Sequence, residues 1–539
     1  MRKIETLFIG IGLLAIVAVV GGIMLANTND AAKKRDIAEI SDTRFGNFLA
    51  AQHAIYVNDF DSAYLMSTKF EDTHIATVQG TKYLSEFLSG RMPMDANLMK
   101  DEKSMPSQFI YDAYLARNGN WQEMYNRHKE DQSPLASPFR IWSGVANNYI
   151  TKTLKFIDKL PTNDSWKSFV RGQIYAEQGN INKAAENFAK VSPEFMNIND
   201  YMFVMSFYKH NKMDKEAENL KYEFTRRPGG MFMLNYDNIP DWSVYSGYKN
   251  ALAFGLVQNV SHTQILMYSD LAILMLRFAE ITAPKFAKAN NLVDYYLGQF
   301  FYTNTGNYKR YFSKVSPQSP FYQFVMLRNM EKDGDIKKME QALKEYPLFV
   351  PAINKLIAHH IQHGNKRAAL KVINRAIDDE SLDNAGRAFF LKSRAHIHFV
   401  FGDIKAAQKD IRVAVKDINI DPELLSLQAK IWAHENREIE NAYDYAMTLV
   451  RKDPSDVFAW DTLGYVVAVR EGVDAALDML ERVGEVSRSC SSLFVQLGDL
   501  YATKGENDKA RDAYLQAIDL SDDGLVVVKD VEKKIRKLK

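Results

Sequence analysis

The sequence predicts an all-α chain: a solenoid of stacked helical hairpins, preceded by one transmembrane helix. Three observations carry that expectation. The stretches "WDTLG" at 460–464 and "FVQLGDLY" at 494–501 place Leu463 and Leu497 34 residues apart, and Gly464 and Gly498 likewise. No segment alternates apolar and polar residues between turn signals, so essentially no sheet is expected. Near the start, Leu7 to Ala26 runs 20 residues without a charge.

That apolar run is long enough, at about 1.5 Å of rise per residue, to span a hydrocarbon core of about 30 Å. A signal peptide is the competing reading, but its apolar region is shorter and is followed by small residues. Here the run ends in "MLA", with Met24 where a small residue is wanted. An uncleaved anchor is therefore favoured. Arg2 and Lys3 precede the span while Lys33, Lys34 and Arg35 follow it, so the positive-inside rule leaves its orientation open.

At 539 residues the chain is too long for one ordinary core, which implies several domains or an elongated array. It is 46% hydrophobic and 25% charged with only 27 Gly and 15 Pro, a composition that buries apolar surface and does not favour disorder. The formal net charge of +1 supplies no global field for nucleic acid, so none is expected as a partner. Cys490 is the sole cysteine, which excludes an intramolecular disulfide and a cysteine-based metal cage.

The repeat can be followed upstream by the same step. Trp460, Leu463 and Gly464 are followed by Ala476 and Leu480; Phe494, Leu497, Gly498 and Tyr501 by Ala510 and Tyr514. "HGNKRAALKVINRAI" gives Gly364, Ala369, Ile373 and Ala376, and "FGDIKAAQKDIRVAV" gives Gly402, Ala407, Ile411 and Ala414. "FVRGQIYAEQGNINKAAENFAKV" gives Gly172, Tyr175, Gly179, Ala184 and Phe188, and "LGQFFYTNTGNYKRYF" gives Gly298 and Gly306 with one extra residue. Looser copies surround Asn58 and Gly119. Small residues at fixed positions let two helices cross closely while large ones fill the space beside them, and a Gly or Asn closes the first helix in a left-handed conformation. This pattern resembles the tetratricopeptide repeat family, with Val467 standing where the family carries Tyr.

These signals divide the chain. Residues 1–6 are a short basic start, 7–26 the anchor or signal peptide, and 27–40 a linker. Residues 41–227 hold N-terminal repeats and 284–520 a C-terminal array. Between them, 228–283 opens with "RPGG", breaks the period, and reads as two longer helices joined near "NVSH". In the tail, 521–539, Leu525, Val528, Ile535 and Leu538 share one helical face, as expected of a capping helix; a membrane-surface or partner helix is the alternative.

Few clusters offer chemistry. His359 and His363 are spaced i, i+4 as metal ligands can be, but no Glu follows the first His and no third ligand is evident. His396 and His398 point apart on a helix, and His434 with Glu435 covers only a fragment of a zinc motif. Asp61, Asp214 and Asp403 stand at repeat turns, where Asp caps helices. Cys490 lies at a repeat boundary, where starting or capping a helix is favoured over acting as a nucleophile. No phosphate-cradling glycine loop or hydrolase elbow occurs. A non-catalytic protein without cofactor or metal is expected.

The family resemblance implies that partners bind on the concave face, formed by the first helix of each pair. Its projection selects Phe389, Lys392, His396, Leu427, Asp461, Tyr465, Val495 and Asp499. Their mixed chemistry suits a protein or peptide ligand. "GNFLAAQHAIYVNDFDSA" looks like the opening of exported tetratricopeptide proteins common in alphaproteobacteria. "NALAFGLVQ", "LAILMLRFAEITAPKFAKANNLVDYYLGQFF" and "SPFY" follow in the order those proteins show. That resemblance implies an inner-membrane, single-pass scaffold of the bacterial envelope, with its soluble part in the periplasm. A cleaved, free periplasmic form is an alternative. So is a cytoplasm-facing anchored adaptor that regulates envelope lipid or polysaccharide synthesis; a metal-binding protein or enzyme is less favoured.

Overall fold

A computed structural model describes residues 44–69, 76–133, 136–225, 230–234, 236–262, 270–304, 308–333, 336–416 and 422–538. They are helical throughout, and no strand occurs among them. The candidate span 7–26 lies outside the described residues. Among the described residues no helix is long and apolar enough to cross a membrane.

The reason for the helical hairpins is visible at single residues. Gly498 faces Tyr514 so closely that an added Cβ would collide with the ring carbons. Gly172 meets Phe188 and Gly298 meets Phe312 in the same way, and a Cβ on Gly464 would come within 2.8 Å of Leu480 Cδ1. Each glycine on a first helix thus admits one large side chain from the second. The turn between them needs a left-handed residue, which Gly505 supplies with φ +77°. Some helix starts are closed by side-chain oxygens: Asn163 accepts from the Trp166 amide at 2.7 Å, and Asn197 forms a capping box with Asp200. Asp403 departs from the expected capping role. It makes no capping bond to its own helix and pairs instead with Lys366.

The chain forms two compact units. One gathers the described part of 1–153 with Tyr248–Phe286 and Gln299–Tyr308. Within it the helices Tyr248–His262 and Asp270–Thr282 pack on the N-terminal hairpins. Phe278 meets Phe139 edge to face at 5.4 Å, and Gly255 lets Pro138 approach its backbone. The segment that breaks the repeat period therefore supplies core to the first unit beyond Tyr248. Upstream of that residue it belongs to the second unit, where Trp242 packs on Phe203 and Phe207.

The second unit contains Leu154–Gly247, Ala287–Gly298 and Lys309–Lys539. Its C-terminal part is a regular array. Five helix pairs begin with Val350–Gln362, Asn384–Val400, Pro422–His434, Val457–Arg470 and Ser491–Thr503. Each first helix packs against the next, and each is backed by its second helix. Alanines and aliphatics fill the layers between: Ala442, Ala446, Ala476, Leu480, Ala510 and Ala517 are fully or almost fully buried. The last hairpin is followed by a short turn, Ser521–Asp523, and a final helix, Val528–Lys537.

Candidate functional site

The first helices of the array line a chamber of about 760 Å³. Ile357 and Ile361 come from the first of them, Lys392, His396 and Phe399 from the second, Leu427 and Lys430 from the third, Phe458 and Tyr465 from the fourth, and Val495 from the fifth. Helix direction explains the selection. Residues three and four apart share a face, so one stripe of each first helix is presented to the chamber.

The lining mixes apolar walls with charges that are mostly engaged. Lys392 is almost buried and pairs with Glu423 at 2.6 Å, its ammonium 5.2 Å from the Phe389 ring centre. Lys430 donates to Asp461 at 2.6 Å, and Asp461, fully buried, also accepts from the Gln496 amide at 2.6 Å. Burial presses the Lys430 ammonium toward neutrality, but the Asp461 carboxylate outweighs it and holds its pKa above the usual lysine value. Burial, aided by Asp461, likewise raises the Tyr465 phenol. His396 is pushed below the ordinary histidine value by burial and by the Lys430 charge, against a hydrogen bond to the Gly524 backbone and the pull of Glu423.

The sequence-projected residues fall into two groups. Lys392, His396, Leu427, Tyr465 and Val495 line the chamber. The other three lie elsewhere. Phe389 stacks edge to face on Phe390 at 5.2 Å and packs against the core beneath the first two pairs. Asp461 is consumed in the core by Lys430 and Gln496. Asp499 accepts from the Tyr514 hydroxyl at 2.7 Å and from Lys534 of the final helix at 2.6 Å. Periodicity gives the direction of a side chain and not its partners, which is why these acids could not be told from free ones.

Sequence reasoning missed the contribution of the tail. Asp523, Gly524, Leu525, Val526, Val527, Val531 and Lys534 form one wall of the same chamber. Its signal was present in "GLVVV", an apolar run too short for a helix and placed directly after the last repeat.

The histidine pair lies near the chamber but outside the lining. The rings of His359 and His363 are 4.2 Å apart, and His363 Nδ1 lies 2.8 Å from the His359 carbonyl oxygen. Among the described residues no group of three His, Cys, Asp or Glu side chains is placed to hold a metal. Cys490 starts the Ser491–Thr503 helix without a capping bond, and burial pushes its thiol pKa up, which disfavours the thiolate.

The two-helix unit with a glycine facing a large aromatic, repeated at this spacing, has a counterpart among known families. Residues 491–523 match the family model "Tetratricopeptide repeat". Residues 491–523 thus form a tetratricopeptide repeat. No curated protein matches the chain. Two solved structures similar to this chain are the APC/C hetero-tetramer Cut9–Hcn1 and yeast Tom70. The first is 14% identical, with 91% of this chain and 96% of that one covered at a TM-score of 0.27. The second is 13% identical, with 82% and 95% covered at a TM-score of 0.29.

The His396 environment sets a pH dependence for the C-terminal array. Its folded pKa lies below the unfolded value of about 6.5. Between the two values the unfolded chain binds more protons, so stability rises with pH and is lost as pH falls below about 6.5. His359 and His360 are lowered by burial as well and add to the same slope. Thermal melts between about pH 5.5 and 7.5 at constant ionic strength should show the melting temperature fall on acidification. His396→Gln should flatten part of that fall; parallel curves for both proteins would count against the assignment.

Proposed function

We propose that the protein is a non-catalytic scaffold that binds a protein or peptide partner along the first-helix face of its C-terminal array. Residues 7–26 would hold it in a membrane, with the repeats on the periplasmic side of a bacterial envelope. The observation that carries the binding reading is the chamber itself: five successive first helices present apolar side chains beside fixed charges on one continuous lining. That arrangement suits a chain-like ligand with alternating chemistry better than a small polar substrate. The anchoring reading rests on the uncharged run from Leu7 to Ala26, and the envelope reading on the resemblance of "GNFLAAQHAIYVNDFDSA" to exported proteins.

The binding reading is tested by affinity capture of the full-length protein from its native cells with quantitative mass spectrometry. Lys392→Glu and Val495→Arg change the lining, whereas Leu515→Arg lies on the exposed side of a second helix. Partners lost from the two lining variants and kept by Leu515→Arg are expected. A partner set unchanged in all three rejects the first-helix face. A reporter fused after Lys539 tests orientation: alkaline phosphatase activity is expected, and fluorescence of an ordinary cytosolic reporter would reverse it.

A further inference from the structure

The tail reaches much farther than an end cap needs to. A cap covers the last hairpin of a solenoid. Here Ser521–Leu538 also touches the first and second pairs of the array. The Ser521 hydroxyl accepts from Gln362 at 2.8 Å. Gly524, at φ +75°, lies against Ala358 so closely that an added Cβ would come within 2.7 Å of its Cα. Gly524 and His396 both line the chamber, and Val527 is buried beside Gly364. At the other end Asp523 caps the fifth first helix, accepting from the Ser491 amide at 2.7 Å and its hydroxyl at 2.6 Å. Lys534 then pairs with Asp499. The segment thus crosses the chamber from the Ser491–Thr503 helix to the Val350–Gln362 helix.

We propose that Ser521–Leu538 is a removable strap that occupies the inner side of the array, and that the segment which replaces it has the strap's own chemistry: a short extended apolar run opened by a glycine, followed by a basic amphipathic helix. This rests on the reading of that face as a binding surface. The seat is built for such a segment. Ala358 and Gly364 are small where the strap's backbone and Val527 approach. The strap's fastenings are of a kind that can be released. The Lys534–Asp499 pair is partly exposed and therefore weak. The final helix leaves Lys529, Lys533, Arg536 and Lys537 in solvent, while Val531, Ile535 and Leu538 on its other face pack on the last hairpins and are what its undocking would expose. A tethered segment competes at an effective concentration on the order of millimolar, which keeps a free micromolar ligand out until the strap is weakened.

The test uses the full chain and a fluorescent synthetic peptide of residues 521–538. Gly524→Val cannot sit against Ala358 or adopt the left-handed turn without strain. It should bind the peptide at least about tenfold more tightly than the parent chain, read by fluorescence anisotropy. Lys534→Glu guards against a folding defect, because it loosens only an exposed fastening. It should give a smaller gain, and Asp499→Lys with Lys534→Glu should reverse it. Equal peptide binding by the parent and both variants, or binding by none of them while circular dichroism shows all three folded, would overturn the strap. Failure of the scaffold reading looks different. The peptide gain would persist while the lining variants Lys392→Glu and Val495→Arg still captured every cellular partner.

Discussion

Replacing Gly498 by valine is expected to unfold the last hairpin of the array. The new side chain would enter the space held by the Tyr514 ring, which is itself buried and hydrogen-bonded to Asp499. Overpacking of a closed helix crossing costs about 1–3 kcal/mol and more where neither helix can move. Here the final helix packs on the same hairpin, so the upper end applies. Because a solenoid is held by nearest-neighbour interfaces, the loss should stay local. Hydrogen exchange is expected to show protection lost across 491–538 and retained in the Val350–Gln362 helix. Gly498→Val with Tyr514→Ala should cost less than the two single changes together, since the second removes the ring that the first displaces. Additive effects would show that Gly498 is not there to admit Tyr514.

Asp461→Ala should be the second severe change. It leaves the Lys430 ammonium, mostly shielded from water, without its paired carboxylate, and leaves the Gln496 amide only the backbone carbonyl of residue 461, at 2.9 Å, as acceptor. Breaking one side of a buried pair costs about 3–5 kcal/mol, whereas replacing both partners by apolar residues is often neutral. Chemical denaturation should therefore show a large loss for Asp461→Ala and near-recovery for Lys430→Met with Asp461→Leu. A single variant as stable as the parent would remove the pair from the core. The same result bears on the site: Asp461 is projected toward partners by periodicity, yet its charge is spent inside the array.

That contrast separates what the amino-acid order discloses from what it conceals. Gly172 with Phe188, Gly464 with Leu480 and Gly498 with Tyr514 recur because each pair is set by one local helix crossing. A local rule leaves a local mark, and the all-helical architecture follows from it. The left-handed turn at Gly505 is legible for the same reason. The direction of Lys392, His396, Leu427, Tyr465 and Val495 also follows from helix geometry alone. What joins residues far apart leaves no such mark. Nothing near Gly524 announces Ala358, and nothing near Asp499 announces Lys534. Asp403 shows the limit at short range, because Lys366 is 37 residues away and still decides its role. The tail's apolar run could be read as a cap, but its reach across the array depends on how five hairpins curve together.

The central claim is that the first-helix lining of the C-terminal array is where a partner sits. Site-specific photocrosslinking in native cells addresses it directly. A photoreactive residue at Val495 or Phe399, both on the chamber wall, is expected to form a covalent adduct with a discrete protein, with a higher yield when Gly524→Val releases the strap. The same residue at Leu515, exposed on a second helix, is expected to form none. Adducts of equal yield from all three positions, or from Leu515 alone, would contradict the account.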